Sequence, residues 1–87
     1  MSDSIRVLVV DDHAVVRNGL MLMVQHEPGM TPVAEANTGT EAIALFRQHQ
    51  PDVTLMDLRM PDMCGVDAII AIRQDLPDAR IIIAKHL

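Results

Sequence analysis

The feature that most constrains how this chain can fold is a set of short, uninterrupted apolar runs rich in β-branched residues. Such runs are typical of strands buried on both faces, as in a parallel sheet covered by helices. Three runs have this character, and a weaker fourth run contains Pro32 and therefore fits an edge strand. The predicted strands span 5–10 (IRVLVV), 30–36 (MTPVAEA), 53–56 (VTLM) and 80–84 (RIIIA).

Segments with helical spacing of apolar residues separate these runs. We predict helices over 14–26, 39–49 and 66–75, and Thr38 with Glu41 forms a capping-box pattern at the start of the second. The order β-α-β-α-β-α-β predicts right-handed crossovers and a parallel α/β sheet. The apolar positions expected to face the sheet are Val16, Leu20, Met23 and Val24, then Ala42, Ile43, Leu45 and Phe46, then Val66, Ile69, Ile70 and Ile72.

Charge and composition exclude several functions. The net charge is −5 and the seven basic residues are scattered, so we expect no direct nucleic-acid binding by this segment. Cys64 is the only cysteine, which rules out an internal disulfide and fits a reducing cytosol. The first apolar run is short and is followed at once by acids, unlike a signal peptide or a membrane span. A cytoplasmic domain without membrane association is the expectation.

Three acidic residues follow predicted strands directly. Asp11 and Asp12 come after the first strand and Asp57 after the third, and open parallel sheets bind ligands beyond such strand ends. Crowded carboxylates repel one another unless a cation intervenes, and hard oxygen ligands favour Mg²⁺. An acid here could instead cap a helix, as Asp12 could for the helix starting near Ala14. We expect a Mg²⁺-dependent phosphate site formed by these three acids. Asp62 is interpreted separately, as a solvated loop charge.

The chemistry of Asp57 follows from its position at a strand end. A carboxylate can attack phosphorus to give an aspartyl-phosphate, which requires charge neutralisation and in-line positioning more than a strong base. Pro61 and Gly65 are predicted to shape the loop, and the backbone carbonyl of Arg59 could reach the metal. The histidines lack metal-ligand spacing and are interpreted as surface or loop residues, with His13 the one placed to touch the site.

The segments VLVVDDH and PDVTLMDLRMPDMCGVDAI resemble the receiver domain of bacterial two-component response regulators, and the match runs over about 5–84. Receivers that precede a LuxR-type helix-turn-helix DNA-binding domain are the most similar. The resemblance implies a doubly wound, flavodoxin-like parallel sheet. It implies that Asp57 is the phosphoacceptor and that Asp11 and Asp12 are the acidic Mg²⁺ pair, of which Asp12 is the more favoured direct ligand. It also implies that Arg59 contributes its carbonyl. The phosphoryl donor would be a phosphohistidine on a sensor histidine kinase or a small acyl phosphate.

Some elements and site residues that are typical of receivers have no counterpart in this sequence. Receivers have five strands and five helices, so residues 1–87 are expected to be a truncated receiver without α4-β5-α5. The switch hydroxyl at the end of the fourth strand falls at Lys85, and the lysine that receivers carry after the fifth strand has no counterpart. We therefore expect weakened phosphotransfer. The apolar edge of the fourth strand predicts self-association or domain swapping.

The leading hypothesis is a phosphoacceptor signalling module, rather than an enzyme, that controls a DNA-binding output domain. A Mg²⁺-dependent phosphohydrolase of the haloacid dehalogenase type also forms an aspartyl-phosphate. That family needs a D-x-D pattern after its first strand, whereas Asp11 and Asp12 are adjacent. A truncated, phosphorylation-impaired fragment that acts only in dimerisation or interaction is the other alternative.

Overall fold

The strands and helices of the computed structural model lie where the apolar pattern predicts them. The structure describes residues 4–83, so the predictions for Lys85 and for the end of the fourth strand lie outside the described residues. None of the helices between these limits is long and apolar enough to cross a membrane. The elements are β1 (Ile5–Val10), α1 (Ala14–His26), β2 (Met30–Ala36), α2 (Gly39–His49), β3 (Val53–Met56), α3 (Gly65–Asp75) and β4 (Ile81–Ile83).

The described strands form one parallel sheet in the order β2-β1-β3-β4. This order confirms the predicted edge position of β2, the strand that contains Pro32. Val7 pairs with Pro32, whereas the next residue, Leu8, pairs with Ala34, so the register between β1 and β2 shifts at this point. Proline has no N–H to donate to the sheet, and edge strands and irregularities are where sheets tolerate it.

Helices cover both faces of the sheet. Alternate residues of β1 point to opposite sides and pack against different helices. Val7 and Val9 pack with Val24 of α1 on one face. On the other face, Leu8 and Val10 join a larger cluster with residues of α2 and α3. The buried members of that second cluster are Leu8, Val10, Ala36, Ala42, Phe46, Met56, Ala68 and Ile72. The doubly wound arrangement is therefore confirmed.

The predicted buried face of α3 is wrong at two positions. Val66 and Ile70 are 49% and 52% exposed, whereas Ala68 and Ile72 are buried. Positions two residues apart in an α-helix differ in direction by about 200°, so these two pairs lie on opposite faces. Met23 of α1 is also exposed, at 69%, although it lies beside the buried Val24 in sequence. The spacing of apolar residues therefore predicted more buried positions on these helices than the structure shows.

The start of α2 confirms one half of the predicted capping box. The Thr38 hydroxyl accepts a hydrogen bond from the Glu41 amide at 3.1 Å. The Glu41 side chain accepts from the amide of Asn37 at 3.0 Å, one residue before the N-cap amide that a capping box uses. Both bonds fix the direction in which the chain enters α2 from β2.

Candidate functional site

The hydrogen bonds of the sheet continue one residue beyond its strands and thereby fix two of the predicted acids. The Asp11 amide donates to the Ala36 carbonyl at 3.0 Å, and the Asp57 amide donates to the Val10 carbonyl at 2.9 Å. Asp11 is fully buried and Asp57 is 4% exposed. These two carboxyl groups therefore lie side by side at the carboxyl end of the central strands.

The structure brings the three predicted acids into one cluster and adds a histidine to it. Ligand atoms of Asp11, Asp12, His13 and Asp57 all lie within 4.8 Å of one another. The N-cap of α1 is His13, so the alternative in which Asp12 serves as the N-cap of this helix is wrong. Asp12 instead lies at the exposed rim, with Asp11 and Asp57 beneath it.

His13 touches the site, as its position beside the acidic pair predicted. Its side chain is 53% exposed, yet Nδ1 lies 2.9 Å from Asp12 Oδ1, 3.2 Å from Asp11 Oδ1 and 4.0 Å from Asp57 Oδ2. The His13 amide also donates to Asp11 Oδ1 at 2.8 Å, which holds the β1–α1 turn. The sequence signal was its position directly after the acidic pair.

Arg17 is a residue of the site region that the sequence reasoning missed. One guanidinium nitrogen donates to the Asp11 carbonyl oxygen at 2.8 Å, and Nε pairs with the Glu35 carboxylate at 2.8 Å. Arg17 thus ties the end of β1 to β2 from the first turns of α1. The contact could be predicted from the spacing of Arg17 and Asp11 only if α1 were already known to fold back over β1.

The β3–α3 loop, residues 57–64, begins with a turn closed on the Asp57 side chain. The Arg59 amide donates to Asp57 Oδ1 at 3.1 Å, which orients the carboxylate. At the other end, the Gly65 amide donates to the Leu58 carbonyl at 2.9 Å. Pro61 lies exposed in the bend between them. The role of the Arg59 carbonyl as a metal ligand stays a prediction, since the bond to Asp57 comes from the Arg59 amide.

Gly65 is required by a close approach of backbone, not by a left-handed conformation. A Cβ atom at this position would lie 2.7 Å from Leu58 Cα and 2.8 Å from the Asp57 carbonyl oxygen. Real Cβ atoms essentially never come so near other heavy atoms. The predicted importance of Gly65 therefore has a steric basis in the first turn of α3.

Asp62 is an exposed loop residue, as the sequence suggested, and it also caps the neighbouring helix α2. Its carboxylate accepts from the Gly39 amide at 2.8 Å, the Thr40 amide at 2.9 Å and the Thr40 hydroxyl at 2.5 Å. The Thr40 hydroxyl and these amides lower the pKa of Asp62 from 3.8 to about 2. Beside this contact, Met63 packs so closely on Gly39 that a Cβ there would meet Met63 Cγ at 2.3 Å. The loop after Asp57 is thus fastened to α2.

The Asp62 contact should loosen in acid. Because its pKa is lower in the folded state, the ionised carboxylate stabilises the fold fully above pH 3.8, and this contribution is lost as the pH falls toward about 2. We expect the Asp62 carboxyl carbon and the Thr40 amide to titrate together in that window by NMR. Asp62→Asn should remove the titration, whereas Asp67→Asn should leave it unchanged. An Asp62 carboxyl that titrates near 3.8 would contradict the capping role.

The cluster has a donor set that can hold a metal ion. It presents three carboxylates and one imidazole whose ligand atoms lie within 4.8 Å of one another, and oxygen-rich sets of this kind suit divalent cations. Two of the carboxylates are buried, so a bound cation would offset negative charge that is poorly solvated. The residues present therefore fit a divalent metal.

Comparison with known proteins agrees with this arrangement. The family model described as the response regulator receiver domain matches residues 7–85. The chain belongs to this family. It is 37% identical over 83 residues to a nitrate/nitrite response regulator protein homolog of Haemophilus influenzae, covering 95% of this chain and 40% of that protein. The chain thus spans about two fifths of the length of such curated relatives.

Solved receiver structures share the fold closely. A two-component response regulator of the LuxR family from Aurantimonas superposes with a TM-score of 0.88 at 41% identity, over 93% of this chain and 58% of that one. A CheY from Borrelia burgdorferi, crystallised with CheX, BeF₃ and Mg²⁺, gives 0.88 at 28% identity, over 93% of this chain and 61% of that one. The described part of this receiver accordingly has the flavodoxin-like fold predicted from the sequence.

Proposed function

We propose that this receiver takes a phosphoryl group onto Asp57 with the help of Mg²⁺. The observation that carries the proposal is the placement of a nearly buried Asp57 carboxylate at the end of β3, within 4.8 Å of ligand atoms of Asp11 and Asp12. One Mg²⁺ ion would be held by the carboxylates of Asp11, Asp12 and Asp57 and by the Arg59 carbonyl. When bound, Mg²⁺ neutralises charge on the phosphoryl oxygens and on the carboxylates around them.

The transfer needs no strong base, because an ionised carboxylate is already a nucleophile. An Asp57 oxygen forms a bond to phosphorus while the bond from phosphorus to the donor breaks, and the donor leaves with the electron pair. With acetyl phosphate the leaving group is acetate, and with a phosphohistidine it is an imidazole that takes up a proton. The hydrogen bond from the Arg59 amide to Asp57 Oδ1 holds the carboxylate in one orientation for this attack.

We propose a sensor histidine kinase as the donor and transcription control as the outcome. The support comes from relatives whose names describe them as response regulators or transcriptional regulatory proteins. DNA binding would belong to a separate output domain, since this segment has a net charge of −5. Residues 1–87 would act as one receiver unit within such a regulator, in the cytoplasm where the kinase domain delivers its phosphoryl group.

Incubation with acetyl phosphate tests the proposal directly. We expect intact-mass analysis to show one phosphoryl group per chain in the presence of Mg²⁺ and none after EDTA, because the carboxylates repel the donor unless a cation is bound. The rate should be low, since the resemblance to receivers implies a hydroxyl group at the position that the sequence predicts for Lys85. Absence of labelling at saturating Mg²⁺ would contradict the proposal and favour the phosphorylation-impaired alternative.

A second function, self-association, is favoured by the outermost described strand, β4. Among the described residues β4 pairs only with β3, and Ile82 and Ile83 are 55% and 46% exposed. An apolar edge with unpaired backbone groups can pair with a second copy of the chain. We expect sedimentation velocity to show dimers or larger species that increase with concentration. A compact monomer at the highest concentration tested would contradict this proposal.

A further inference from the structure

His13 lies where a ligand to the proposed cation would lie. Its Nδ1 atom is 2.9 Å from Asp12 Oδ1 and 3.2 Å from Asp11 Oδ1, and it is 4.0 Å from Asp57 Oδ2. With metal–ligand bonds of about 2.1 Å, adjacent ligands of an octahedral ion are about 3.0 Å apart and opposite ligands about 4.2 Å. Without an ion the two shorter separations are those of hydrogen bonds, and all three are compatible with ligands around one octahedral ion.

The backbone of His13 is already fixed in this position. Its amide donates to Asp11 Oδ1 at 2.8 Å, and the residue is the N-cap from which α1 begins. The side chain therefore projects from a rigid turn shared with two of the carboxylates. The backbone from which the imidazole projects is therefore already ordered, which lowers the entropy cost of coordination.

The chemistry of an imidazole determines which cations gain from it. Mg²⁺ prefers oxygen ligands and retains several waters, so one nitrogen adds little to its binding. Imidazole suits first-row transition metals such as Fe²⁺, Ni²⁺ and Zn²⁺, and the affinity of a mixed nitrogen and oxygen site rises along the series from Mn²⁺ to Cu²⁺, so Mn²⁺ is the most demanding test among them. From this geometry we infer that His13 is a metal ligand that shifts the selectivity of the acidic site from Mg²⁺ toward Mn²⁺ and related transition metals. The inference rests on the cation site of the proposed function.

Metal titration of the full chain tests the inference. Isothermal titration calorimetry with Mn²⁺ and with Mg²⁺ is run at about pH 8, where free imidazole is neutral. We expect His13→Ala to weaken Mn²⁺ binding by at least about tenfold, because loss of even an outer-sphere partner commonly costs that much. The affinity for Mg²⁺ should change by less than about twofold. Electron spin echo envelope modulation of bound Mn²⁺ should show a nitrogen signal in the wild type and lose it in His13→Ala.

The matched control is His26→Ala, at the other end of α1. His26 Nδ1 lies 2.8 Å from the Leu22 carbonyl, far in sequence from the acids, so this variant should keep both affinities and the nitrogen signal. If His13→Ala lost equal affinity for Mn²⁺ and Mg²⁺, or kept its Mn²⁺ affinity, the inference would be overturned. The proposed cation site would still stand as long as the wild type bound Mg²⁺. A wild type that bound neither cation would overturn the proposed function as well.

Discussion

Asp57→Asn is expected to reduce phosphoryl labelling by acetyl phosphate at least about a thousandfold, since removal of a covalent nucleophile typically costs that or more. The carboxamide has nearly the same shape as the carboxylate, so it can keep the hydrogen bond that the Arg59 amide donates to Oδ1. It lacks the charged oxygen that attacks phosphorus. The measurement is intact-mass analysis after incubation with Mg²⁺, followed by peptide mapping of the labelled residue.

The control for this variant is Asp78→Asn. Asp78 is an exposed acid just before β4, whereas Asp57 follows β3, so the two lie at opposite ends of the parallel sheet. Asp78→Asn should be labelled like the wild type. Asp57→Asn should also be at least as stable in EDTA, because the variant removes one of three neighbouring negative charges. If folded Asp57→Asn were still labelled, and the label mapped to Asp12, the proposal that Asp57 is the nucleophile would be wrong.

The fold could be predicted from the sequence because its determinants are local. Each strand is a short apolar run, each helix repeats its apolar residues over three to four positions, and the alternation of the two restricts the topology. The clustering of Asp11, Asp12 and Asp57 follows from the same logic. All three come after strands whose carboxyl ends meet at one edge of the sheet.

The remaining contacts of the site depend on how elements pack, which no local pattern reports. Asp62 caps α2 only because the loop after β3 lies against the start of that helix, 22 to 23 residues away in sequence. Arg17 reaches the Asp11 carbonyl only because α1 folds back over β1. Val66 and Ile70 have helical spacing like that of Ala68 and Ile72, and the packing of α3 decides which pair is buried.

Gly65→Ala is expected to lower the free energy of unfolding by about 1–3 kcal/mol, the usual scale of overpacking in a close-packed region. The new methyl group would lie 2.7 Å from Leu58 Cα and 2.8 Å from the Asp57 carbonyl oxygen. Both are backbone atoms, so relief requires the chain itself to move, at the residue that carries the proposed nucleophile. Mg²⁺ affinity should therefore also fall, by about tenfold or more. Urea denaturation and calorimetric titration measure the two effects.

Gly19→Ala provides the matched control, because it adds the same methyl group to another helical glycine. A Cβ at Gly19 meets no atom within 4 Å, and the residue lies exposed inside α1. This substitution should raise the free energy of unfolding by about 0.5–1 kcal/mol, since alanine has the higher helix propensity, and leave Mg²⁺ affinity unchanged. If Gly65→Ala were stabilising in the same way, the loop would have room for a side chain. The steric requirement for glycine at position 65 would then be wrong.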